Sequence, residues 1–112
     1  DLGTLGGSSS YAYDVSGDGS VVVGLSTLGS GAFRAFSYSG STMTDLGNLG
    51  GTKAYAYGVS ADGSVIVGES TISGDGARHA FKYSDNIMTD LGTLGGDNSY
   101  SGGVSADGSV IV

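Results

Sequence analysis

The chain is repetitive, and its period constrains the fold more than any single residue does. "DLGTLGG" opens at Asp1, "DLGNLGG" at Asp45 and "DLGTLGG" again at Asp90, giving periods of 44 and 45 residues. Within each period "YAYDVSGDGSVVVG" from Tyr11 returns as "YAYGVSADGSVIVG" from Tyr55 and as "YSGGVSADGSVIV" from Tyr100. The units are therefore 1–44, 45–89 and an incomplete 90–112. In a repeat protein each unit leaves a face that only a neighbour covers, so stability is expected to come from stacking.

Inside a unit, short β-rich runs alternate with clusters of Gly, Ser, Asp and Asn, the pattern of four short strands joined by tight turns. In the second unit these are Tyr55 to Ser60, Val65 to Ser70, Arg78 to Tyr83 and Ile87 to Gly92. The Asp-Gly of Ala61 to Ser64 supplies the positive φ of a hairpin turn, which fixes the register of the next strand. No helical periodicity competes, so the chain is expected to be all-β. The runs Val21 to Val23, Val65 to Val67 and Val110 to Val112 are continuously apolar, so both faces of that strand should be covered. Four antiparallel strands with doubly covered inner strands, recurring at this period, point to β-propeller blades packed face to face. The Gly-rich "LGNLGG" approach suits a crowded path to the propeller axis. The alternative is a β-solenoid, whose coils usually repeat over fewer residues.

The one histidine, His79, stands in "ARHAFKY". Superposing units places "FRAFSY" (Phe33 to Tyr38) on "RHAFKY" (Arg78 to Tyr83), so His79 corresponds to Arg34. A guanidinium neither accepts a proton nor binds a metal at neutral pH, so a catalytic or ligating role would not survive the exchange. Ala-Phe-x-Tyr persists in both copies, and period-two alternation puts Phe and Tyr on one packing face.

The combination of "LGxLGG", "VSxDGSVxVG" and His79-Ala80-Phe81 resembles the HAF family of bacterial extracellular repeats, with Arg34-Ala35-Phe36 as a departure. The likeness runs over essentially the whole chain. It implies a secreted or surface-displayed protein, often in the passenger region of an autotransporter-like polypeptide, and it carries no catalytic residues.

Composition narrows the partners. A net charge of −7 with four Lys or Arg is the wrong sign for nucleic acid or an anionic membrane. No apolar run reaches the roughly 20 residues that span a bilayer. Without Cys there is no disulfide framework, which is only compatible with export. A start at Asp1 rather than Met reads as a processed piece or part of something longer. Asp-Gly pairs at Asp18, Asp62, Asp75 and Asp107 raise calcium, but no window offers the alternating oxygens of a calcium loop. Neither a metal nor a cofactor is expected. A nucleophilic triad would rest on one His among many serines, and a glycosidase pair on Glu69, the sole Glu, which replaces Leu25.

Tyr11, Tyr13, Tyr55, Tyr57 and Tyr100 are the better ligand-binding candidates, since tyrosines recurring near one strand end can line a face where sugars stack. The competing reading is packing between units. The expected function is thus a non-enzymatic extracellular scaffold or adhesive surface, with a carbohydrate-binding module and, distantly, a secreted hydrolase as alternatives. Two and a half units do not close a ring of about four to eight blades, so self-association through unpaired edges, or further repeats, is expected.

Overall fold

A computed structural model describes residues 2–112; Asp1, which opens the first "DLG" motif, lies outside the described residues. The chain is all-β. Its strands are β1 (Ser10–Val15), β2 (Val22–Thr27), β3 (Phe33–Ser39), β4 (Thr42–Asp45), β5 (Gly50–Val59), β6 (Ile66–Ile72), β7 (Arg78–Ser84) and β8 (Ile87–Asp90). Antiparallel pairing joins β1 through β4 in chain order, and β5 through β8 likewise. A single parallel bridge, Phe33 to Lys53, links the two runs into one open sheet.

The two runs share a register. Gly24 faces Phe36 across β2 and β3 as Gly68 faces Phe81 across β6 and β7. Each Gly is required by close approach, because a Cβ at Gly24 or Gly68 would drive into the carbonyl oxygen of Tyr11 or Tyr55. Each first strand carries a β-bulge at the same place, between Ala12 and Asp14 and between Ala56 and Gly58. The bulged residues are Tyr13 and Tyr57, a position where a bulge re-aims a side chain.

Turn chemistry sets these registers. In "SGDGS", Gly19 takes a φ of 76°, as Gly63 and Gly108 do at 81° and 78°, which supplies the left-handed step the Asp-Gly pairs predict. The β7–β8 turn puts Asp85 and Asn86 at φ 53° and 64°, the two left-handed central residues of a type I′ hairpin. Asn and Asp tolerate that region better than other side chains.

The core spans both runs. Val23 and Ala35 of the first meet Ala54, Ala56, Ile66 and Phe81 of the second, with Leu46 and Val59 closing the cluster. Alanines on β5 leave room for the strand to lie against its neighbours, and the aromatic of Phe81 fills the remaining depth. Val65, Ile66 and Val67 are all buried, as continuously apolar runs predict. The third copy departs from that expectation. It forms only the Val104–Ile111 bridge and flanking backbone bonds, and Val110 and Val112 are exposed. Among the described residues no third equivalent of β3 and β7 covers their second flank.

In the first two "DLGxLGG" segments the last glycine is crowded for a local reason. Gly7 passes against the side chain and carbonyl of Thr27, and Gly51 against the side chains of Thr71 and Asp75, so these groups exclude a Cβ there. The leucines of the motif bind the sheet: Leu46 N donates to Ala35 O at 3.0 Å, and Leu49 N to the buried Ser70 Oγ at 2.9 Å. Leu5 N repeats the second bond to Ser26 Oγ at 2.8 Å. In the third copy Leu91 N reaches Ala80 O at 2.9 Å, but Leu94 is 109% exposed.

Candidate functional site

His79 has a structural partner. Its Nδ1 lies 2.8 Å from Asp90 Oδ2 and 2.9 Å from Oδ1, so the ring N–H is shared by both carboxylate oxygens. Arg34 occupies the same place in the first unit, with Nε 3.7 Å from Asp45 Oδ2. The residue before Ala-Phe therefore sits against the aspartate of the following "DLG", His79 through a hydrogen bond and Arg34 through a looser ion pair. Asp90 also accepts from Gly92 N at 2.7 Å. Desolvation pushes its carboxyl up, but the Gly92 N–H and His79 outweigh this and hold it below the usual range.

The turn aspartates are likewise filled by the chain. Asp18 Oδ1 accepts from Ser16 Oγ at 2.7 Å, Ser20 Oγ at 2.6 Å and Ser20 N at 2.9 Å. Asp62 and Asp107 repeat the pattern with Ser60 and Ser64 and with Ser105 and Ser109. The flanking hydroxyls, that of Ser16 before Ser20 at Asp18, draw Asp18 and Asp107 down to about 2. Asp75 differs. It is bonded to Thr52 N, Thr52 Oγ1 and Thr71 Oγ1 at 2.7, 2.8 and 2.7 Å, tying the start of β5 to the β6–β7 loop. Among the described residues no three His, Asp or Glu side chains converge as a metal set.

Three kinds of polar contact escape a single-sequence reading. Glu69 is buried and accepts from Arg78 Nη1 at 3.0 Å. The comparison of units gives a usable hint here, because Leu25 and Phe33 change together into Glu69 and Arg78. Asp14 Oδ2 accepts from Val59 N at 3.0 Å, a bond between units. In the second unit Gly58 stands at that place, leaving room for the backbone of Gly102 and Gly103. Successive Asp-Gly turns also bond to one another, Asp18 N to Ala61 O at 3.3 Å and Ala61 N to Ala106 O at 3.0 Å.

The structure gathers some of the tyrosines and leaves others apart. Tyr13 and Tyr57, the two bulge residues, meet with ring centroids 5.4 Å apart. Tyr57 and Tyr55 lie parallel, 3° between planes and 6.1 Å between centroids. Phe33, which sequence reasoning did not single out as a site residue, extends the row at 6.0 Å from Tyr55. Lys53 Nζ sits 5.9 Å over the Phe33 ring. Tyr11 and Tyr100 are exposed and join none of these ring contacts. Among the described residues none of the five hydroxyls makes a hydrogen bond within the chain, and those of the half-buried Tyr55 and Tyr57 reach solvent. Desolvation, then the nearby Glu69 charge, pushes Tyr57 up to about 12; desolvation raises Tyr55 as well, against Arg78. Both phenols are neutral donors at physiological pH.

No family model, no curated protein and no solved structure matches this chain.

Proposed function

We propose that the chain is a non-enzymatic repeat module built of β-propeller blades, acting as an extracellular or cell-surface structural and adhesive scaffold of a bacterium. The observation that carries this reading is the use of His79: it hydrogen-bonds Asp90 at the place where Arg34 forms an ion pair with Asp45. The residues with the most chemical potential thus recur as fasteners of the repeat. Glu69 is spent on Arg78, and the turn aspartates on serine hydroxyls. The common register of the two strand runs and the core shared between them support the blade assignment. The HAF resemblance supports the location.

The same reading includes self-association. Leu94, Val110 and Val112 are exposed, whereas Leu49, Val65 and Val67, their equivalents, are packed within the chain. Further repeats or a second copy would cover them. Sedimentation velocity over a wide concentration range tests this: association is expected, weakened by Leu94→Asp with Val112→Asp. A folded monomer at every concentration would remove self-association from the proposal.

A further inference from the structure

The row Tyr13–Tyr57–Tyr55–Phe33 has three properties that packing alone does not require. Two of its members are bulge residues at equivalent places in their units, and the bulges turn these two rings toward each other across the seam. Bulges are enriched where a side chain must be re-aimed for function. The row is continuous, with centroid steps of 5.4, 6.1 and 6.0 Å, so it forms a strip rather than a single ring contact. Its three hydroxyls make no hydrogen bond within the chain among the described residues, so the strip offers apolar ring faces with polar tips left to solvent.

Charge decides what such a strip would take. Arg78 is paired with Glu69, which leaves Lys53, over the Phe33 ring, as a single positive charge at one end of the strip. With a net charge of −7 the chain repels polyanions at long range. An amphipathic row of neutral phenols suits an extended ligand that is itself uncharged, offers apolar ring faces and is dense in hydroxyls. We propose that the strip formed by Tyr13, Tyr57, Tyr55 and Phe33 binds a chain of uncharged polysaccharide across the seam between the first and second units. The strip ends where the third unit has Gly102 at the bulge position, so binding is confined to this seam. The inference goes beyond the scaffold reading and does not depend on it, because a scaffold needs no free hydroxyls on a packed aromatic row.

Affinity electrophoresis of the full chain in native gels tests it, with hydroxyethylcellulose, laminarin or dextran as neutral polymers and alginate as the anionic control. Retardation by at least one neutral polymer and none by alginate is expected. Tyr13→Ala removes an exposed ring and should weaken the retardation about tenfold, with circular dichroism unchanged. Tyr57→Phe keeps the ring and removes only a hydroxyl, so a several-fold loss marks hydrogen bonding. Tyr11→Ala, outside the row, should behave as wild type. No retardation by any neutral polymer, retardation by alginate alone, or a Tyr13→Ala variant as strongly retarded as wild type would overturn the assignment. Self-association is read separately by sedimentation, so the two proposals fail independently.

Discussion

Arg78→Ala is the substitution that best tests how the second unit is held together. Glu69 has a side chain 5% exposed, and its carboxylate depends on the Arg78 guanidinium at 3.0 Å. Removing one partner of a fully buried ion pair costs about 3–5 kcal/mol, because the remaining charge is stranded. Arg78 is 43% exposed, so water takes over part of its role, and roughly half of that, ~2 kcal/mol, is expected. In urea, with a slope of about 1–3 kcal/mol per molar, the midpoint should fall by about 1 M. The first unit supplies the complementary experiment. Glu69→Leu with Arg78→Phe copies Leu25 and Phe33, replaces a desolvated carboxylate by an apolar side chain whose burial contributes about 1.5–3 kcal/mol, and should unfold at or above the wild-type midpoint. Arg78→Met keeps much of the stem's packing and isolates the loss of charge. The reasoning is refuted if Arg78→Ala unfolds at the wild-type urea concentration, or if the double variant is no more stable than Arg78→Ala.

Other expectations concern the turns, the bulges and the clamps. Asp18 and Asp107 titrate at about 2 when folded, below the ~3.9 of an unfolded Asp. Their contribution is therefore complete above about pH 4 and lost as pH falls toward 2, so the urea midpoint should drop across that window and less so in Asp18→Asn with Asp107→Asn. Absorbance titration should show a phenol ionising at about 12 that Tyr57→Phe removes. Gly68→Ala forces a methyl into the Tyr55 carbonyl oxygen and should cost about 1–3 kcal/mol. Gly76→Ala, with nothing within 4 Å, should be neutral or stabilising by up to ~1 kcal/mol in the same urea assay. His79→Arg, which copies Arg34, should stay within ~0.5 kcal/mol of wild type; a larger loss would contradict the shared clamp.

The repeat, the strands and the turns were legible because they are local. Asp-Gly needs a left-handed step wherever it closes a hairpin, and Val65, Ile66 and Val67 announce two covered faces by their continuity. The displacement of His79 by Arg34 was enough to read the histidine as part of the framework. Its partner was not legible, since Asp90 is eleven residues away and becomes a neighbour only when β7 and β8 pair. The same holds for the tyrosines. Their recurrence on the first strand of each unit was evident, but one-residue bulges decide that Tyr13 and Tyr57 meet, while Tyr11 and Tyr100 stand apart.

What the sequence determines by itself is thus the period, the strand order and the turn geometry, because these depend on a residue and its near neighbours. Which side chains meet across the seam is decided by the tertiary structure. There a bulge or a side-chain carboxylate acts between residues that the repeat holds some forty positions apart, as when Tyr13 meets Tyr57 and Asp14 receives the N–H of Val59.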